Sequence, residues 1–267
     1  MSEAMKDKKN QSHYVAKPVD ANGVVHYTDD ENAVWQTLMQ RQRPILQNRA
    51  CDEFIHGLTC LSLPESVIPQ CKDVSAVLQD LTGWSLEPVA ALISFDKFFN
   101  LLANRKFPAA TFIRTREELD YLKEPDIFHE IFGHCPLLTN PAYAEFVHTY
   151  GKLGVNATPQ ERVLLARLFW FTIEFGLMKT EAGLRAYGGG ILSSMKETVY
   201  CVESDEAVRH PFDVMHALRM PYDIDVIQPT YFVLDRFDQL FDLTKLDILA
   251  LVRQAQREGE RQPLHAC

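Results

Sequence analysis

One carboxylate limits what this chain can fold into: Glu174, the only acidic residue in the run LLARLFWFTIEFGLM (164–178). So apolar a run must be largely buried, and an unpaired charge within it costs several kcal/mol. Any fold must therefore bring Glu174 a proton, a hydrogen-bond donor or a cation. A cation site is offered by EPDIFHEIFGHCP (124–136), which carries His129 and His134. Two neutral imidazoles and one carboxylate form a ligand set that leaves half of an octahedral metal open to oxygen and substrate. That set points toward a mononuclear non-haem iron oxygenase.

The histidines of HEIFGH are five residues apart, not four as in the HExxH signature of zinc proteases. On an ideal α-helix five residues turn through about 500°, so the two side chains diverge by about 140°. Both reach one ion only if the helix loosens or ends between them. Gly133, a poor helix former, and Pro136, which disfavours helical geometry at Cys135, supply the reason. His129 is then expected from a last helical turn and His134 from just beyond it. Asp126, three residues before His129, is expected to accept that ring's second N–H as an outer partner; a helix N-cap after Pro125 is the alternative. Glu130 is a candidate proton handler or ligand anchor, with a solvated helix position as the alternative. Spacing does not choose iron over zinc.

At 267 residues, with 46% apolar and 24% charged residues, the chain has the balance of a globular protein with a sizeable core. A net charge of −9 without a Lys/Arg cluster argues against nucleic acid as main partner. The six cysteines form no CxxC pair, the N-terminus MSEAMKDKKNQSHY lacks an apolar signal segment, and no run approaches a membrane span. A cytoplasmic protein with free thiols and no membrane partner is expected.

Residues 1–28 are polar and are expected as a loosely ordered arm, with the catalytic domain over 29–267. Thr28 offers an N-cap for the helix that follows. Helices are expected around DEFIHGLTCL, DVSAVLQDL and KLDILALVRQAQ, and strands around Thr111–Ile113 and QPTYFVL. The segment REELDYL reads as helix. Thr158-Pro159-Gln160-Glu161 combines an N-cap, a first-turn proline and a capping box; its helix is expected to run through Glu174 and stop near Gly183. The expected fold class is α+β: a single, mainly helical domain with a small β component.

The stretches EPDIFHEIFGHCPL, FWFTIEFGL, AYGGGILSS and FIR, in the family's order and spacing, resemble the catalytic domain of the aromatic amino acid hydroxylases, with the short bacterial members nearest. The resemblance covers about Asp29 to Leu251. It implies that His129, His134 and Glu174 bind ferrous iron (Fe2+) and that a tetrahydropterin (tetrahydrobiopterin or related) is the cosubstrate. Phe98 then stacks on the pterin ring, with Glu130 near the pterin's polar edge as a catalytic and cofactor-binding carboxylate. Arg114 grips the substrate's α-carboxylate, and Pro125, Trp170, Phe175 and Ser193 shape the amino acid pocket. The implied reaction is hydroxylation of L-phenylalanine to L-tyrosine with O2.

Phe95 in SFDKF stands where longer animal members carry a serine near the pterin, which leaves pterin preference open. No regulatory domain and no C-terminal coil are expected, hence a monomer or weak dimer. The glycine run Tyr187-Gly188-Gly189-Gly190 matches no phosphate-binding pattern and is given no phosphate role. Three other functions compete: a tryptophan or tyrosine hydroxylase of the same family, a zinc hydrolase with Glu130 activating water, and a metal-stabilised binding module without turnover.

Overall fold

The computed structural model describes residues 14–90, 92–120 and 122–261. The first long helix, Asp29–Leu46, begins as expected: the Thr28 hydroxyl accepts the Glu31 N–H, and Glu31 reaches back to the Thr28 N–H. Helices Asp52–Leu61 and Cys71–Thr82 fall on two of the expected segments. Helix Pro141–Asn156 starts at an Asn140 cap followed by proline, and helix Ile248–Glu258 is the expected amphipathic one. Helices hold 53% of the described residues and strands 13%, so the fold is α+β with helices dominant.

The strands form two small sheets. In the first, β1 (Ser85–Val89) pairs in parallel with β2 (Lys106–Ala110). The second contains β3 (Gly176–Thr180), β4 (Gly183–Ala186), β5 (Val208–Pro211) and β6 (Thr230–Leu234) in the order β4-β3-β6-β5. Among the described residues, only the β3–β4 strand pair is antiparallel. Nearly all the buried apolar residues, including Trp35, Phe128, Phe132, Leu165 and Phe232, join one contiguous core.

Three expectations are corrected. The strand expected over Thr111–Ile113 lies earlier, at Lys106–Ala110, because β1 ends at Val89 and offers no ladder beyond Ala110. REELDYL holds one short turn, Arg116–Glu118, in which the Glu118 carboxylate is spent on the Thr115 N–H and hydroxyl. Helix Pro159–Phe169 opens on the expected capping box but does not run to Gly183. It widens into a π-helical turn over Trp170–Glu174 and gives way to β3 at Gly176. A buried apolar run reads alike as helix or strand, so periodicity does not mark that change.

The arm expected over residues 1–28 is described only in part. Its described part, residues 14–28, is tied to the body: Lys17 pairs with Glu31 at 2.5 Å, and Tyr27 donates to the Thr111 carbonyl at 3.0 Å. Val25 exchanges hydrogen bonds with the Gln70 side chain. Residues 1–13, Tyr121 and Cys267 lie outside the described residues. Cys51, Cys60, Cys71, Cys135 and Cys201 are free thiols.

Candidate metal centre

His129–His134 forms a π-helical turn that continues directly into helix Cys135–Leu138. The helix therefore loosens between the two histidines but does not end there, so His134 sits inside the widened turn and not beyond it. Hydrogen bonding from i to i+5 turns residues five apart toward one side, which the α-helix forbids. Their Nε2 atoms lie 3.0 Å apart. The second π-helical turn ends at Glu174 and presents its carboxylate to both rings, Oε1 at 3.3 Å from His134 Nε2 and Oε2 at 3.7 Å from His129 Nε2.

These separations suit a first-row ion. Bonds of about 2.1 Å at right angles put two ligand atoms about 3.0 Å apart, the observed His129–His134 spacing. The tautomer of His129 is also set. The Ser193 hydroxyl donates to the Gly189 carbonyl at 2.8 Å, so its oxygen, 3.0 Å from His129 Nδ1, accepts the ring N–H. The Nε2 lone pair then faces Glu174 and His134, as a metal ligand requires. Ser193, expected in the amino acid pocket, thus takes the role expected of Asp126.

Asp126 does not reach the His129 ring. Its carboxylate receives Arg114 Nε at 2.8 Å and Nη2 at 2.9 Å, together with the backbone N–H groups of Arg114 and His129, each at 3.0 Å. Asp126 is fully buried and Arg114 is 8% exposed. Burial alone would raise the Asp126 pKa, but the guanidinium and the four hydrogen bonds hold it below the usual carboxylate range. A planar fork bound on one edge keeps three of its five N–H donors for another carboxylate.

Two glutamates beside the histidines differ in charge. Burial raises the Glu130 pKa well above normal, with the charges of Glu174 and Asp126 adding to it. Burial also opposes ionisation of Glu174, but His134, His129 and the Gly190 N–H hold its pKa below normal. His129 is pushed down to about 4, first by burial and then by His134, against the attraction of Glu174. The site thus favours a neutral His129 and an ionised Glu174, and disfavours ionisation of Glu130. Glu130 also has an oxygen within 4.8 Å of both histidine ligand atoms, but the Glu174 carboxylate reaches both Nε2 atoms, at 3.3 and 3.7 Å, and is the candidate third ligand.

A cavity of about 250 Å3 opens onto this centre. Phe98, Pro125, His129, Glu130, Trp170 and Glu174 line it, whereas Arg114, Phe175 and Ser193 do not. Phe175 backs Trp170, with ring centroids 4.4 Å apart. Phe98 is braced edge-on by Phe99 and Phe169, and Phe95 stands half-exposed at the cavity wall.

Three contributors were not assigned from sequence. Tyr222 lines the cavity and stacks on Trp170 at 4.4 Å, and Gln228 accepts the Trp170 indole N–H at 3.0 Å. No motif marks either residue. The third was visible as the glycine run: a Cβ on Gly189 would lie 2.5 Å from the His134 ring, and one on Gly190 2.9 Å from Glu174 Oε2. Those glycines are the floor against which two ligands rest. The His134 Nδ1 atom has no hydrogen-bond partner among the described residues.

A family model described as biopterin-dependent aromatic amino acid hydroxylase matches residues 5–254. The chain is 57% identical over 253 residues to a phenylalanine-4-hydroxylase of Pseudomonas aeruginosa, covering 95% of this chain and 96% of that protein. The phenylalanine hydroxylase structure of Legionella pneumophila superposes with a TM-score of 0.90 at 56% identity, over 93% of this chain and 98% of the other. The Chromobacterium violaceum phenylalanine hydroxylase with bound oxidized Fe(III) gives 0.87 at 42% identity, over 98% and 95%.

Proposed function

Since this chain belongs to the biopterin-dependent aromatic amino acid hydroxylases, we propose that it converts L-phenylalanine to L-tyrosine with O2 and a tetrahydropterin, using ferrous iron. The observation carrying the proposal is the convergence of His129, His134 and Glu174 at the floor of an aromatic cavity. Iron and the pterin together supply the reducing equivalents and the oxygen activation for ring hydroxylation.

The chain's own residues perform the binding and orientation. His129, through the Ser193 hydroxyl, keeps Nε2 unprotonated toward the metal. Phe98 offers the flat heterocycle an aromatic face. Glu130, whose ionisation burial disfavours, faces the pterin's polar edge. Arg114, fixed by Asp126, receives the amino acid's carboxylate, and Trp170, backed by Phe175 and Tyr222, forms a wall for its ring. Pro125 closes the cavity between these groups.

The quaternary part of the proposal is a monomer or weak dimer, to be checked by sedimentation. No helix among the described residues is long and apolar enough to cross a membrane, and a cytoplasmic site of action is the remaining part. The deciding experiment measures tyrosine formed by the purified chain with phenylalanine, Fe2+, tetrahydropterin and O2, omitting each in turn. Tyrosine only in the complete mixture is the expected result. Hydroxylation of tryptophan or tyrosine in place of phenylalanine would overturn the substrate assignment, and turnover without O2 or pterin would overturn the oxygenase.

A further inference from the structure

Arg114 lies on a segment that no sheet holds. Residues 111–115 run on from β2 after its partner has ended, and they have no ladder partner among the described residues. One flank is secured by the loop before His129: the Ile127 N–H donates to the Phe112 carbonyl at 2.9 Å, and Asp126 takes the Arg114 N–H. The other flank is secured by the N-terminal segment. Tyr27 donates to the Thr111 carbonyl, and the Thr111 hydroxyl donates to the Lys17 carbonyl at 2.8 Å.

Tyr14 completes this second flank and straddles Arg114. Its ring stacks on Phe112, two residues before, with centroids 4.5 Å apart and planes inclined by 13°. Its hydroxyl donates to Glu118 Oε1, four residues after, at 2.5 Å. The other oxygen of Glu118 accepts the N–H and hydroxyl of Thr115, the residue next to Arg114. Ala110 and Phe112 are buried in a cluster separate from the main core, and Tyr14 and Leu122 pack against it. Ile113 joins the main core whereas Phe112 does not, so removal of Tyr14 frees the Phe112 side of the segment that carries Arg114.

We propose that residues 14–28 form a strap whose anchor, Tyr14, is a positioning residue for Arg114 and thereby sets affinity for the amino acid's carboxylate. The inference rests on the reading of Arg114 as the carboxylate-binding residue. The contacts of Tyr14 with Phe112 and Glu118 both flank Arg114, so its effect is expected on binding of the amino acid.

The test compares Tyr14→Phe, Tyr14→Ala and Arg114→Ala in steady-state kinetics, varying phenylalanine and tetrahydropterin separately. Tyr14→Phe keeps the stack and loses only the hydroxyl. It should raise the phenylalanine KM by about fivefold, the effect of one ordinary hydrogen bond. Tyr14→Ala should raise it further, with kcat and the pterin KM within about twofold of wild type in both variants. An unchanged phenylalanine KM in both Tyr14 variants, with Arg114→Ala raising it, would overturn the strap alone. If both KM values and kcat move together in step with lost thermal stability, Tyr14 is merely structural and the inference falls. If Arg114→Ala leaves the phenylalanine KM unchanged, the carboxylate reading falls and takes this inference with it.

Discussion

Replacing Asp126 by Asn isolates the buried ion pair that fixes Arg114. The change keeps shape and one acceptor oxygen but removes the charge and half of the fork's partners, while four N–H groups still converge there. Breaking a buried pair from one side costs about 3 kcal/mol or more, because the surviving charge stays buried. At roughly 2 °C per kcal/mol for a chain of this length, the melting temperature should fall by roughly 6 °C. A fork no longer held in plane should also bind the amino acid carboxylate at least about tenfold more weakly, the equivalent of about 1.4 kcal/mol.

The pH dependence gives a second reading of the same pair. The Asp126 pKa is depressed in the folded state, so its contribution is complete above the unfolded value of about 3.9 and is lost as pH falls through the lower folded value. The melting-temperature gap between wild type and Asp126→Asn should therefore be flat from about pH 7 to 5 and close below about pH 4. Calorimetry across that range, with phenylalanine and pterin KM values at neutral pH, makes the comparison. A variant with wild-type melting temperature and phenylalanine KM would refute the view that this pair holds Arg114.

Three further outcomes can be measured. Gly189→Ala places a methyl group against the His134 ring and should weaken iron binding by about 10- to 100-fold; unchanged retention against a chelator would mean that the glycine floor does not constrain the ligand. Glu174→Ala should yield folded protein, by circular dichroism, with little iron and almost no hydroxylation, and retained iron with turnover would remove Glu174 from the ligand set. Gln228→Leu leaves the Trp170 indole N–H without its acceptor and should cost about 1–3 kcal/mol in thermal unfolding. It should also raise the phenylalanine KM without lowering iron content; wild-type values for both would show that Gln228 does not hold Trp170.

The candidate metal site was legible because its chemistry is costly elsewhere. Glu174 in an apolar run demanded a proton, a hydrogen-bond donor or a cation, and the five-residue spacing of His129 and His134 demanded a loosened helix if both were to reach one ion. The caps at Thr28 and Thr158 were equally plain, since capping chemistry is local and confined to four residues. Fold class followed from the dominance of helical periodicity over short apolar runs, and the resemblance of four motifs supplied the pterin and the amino acid that spacing alone does not name.

Other features were decided only by tertiary contact. That His129 and His134 share one continuous π-helical turn depends on the i to i+5 ladder, which residue types alone do not specify. By sequence Asp126 could serve a histidine ring or cap a helix; it accepts the His129 backbone N–H as a cap does, and it also serves Arg114 because residues 111–115 lie against the loop that carries it, 12 residues away. The Ser193 hydroxyl meets His129 across 64 residues, and Gln228 meets Trp170 across 58. Periodicity and propensity act over a few residues, whereas these pairings exist only once the core has closed. The sequence by itself determined which groups need partners, and the tertiary structure decided which partners they have.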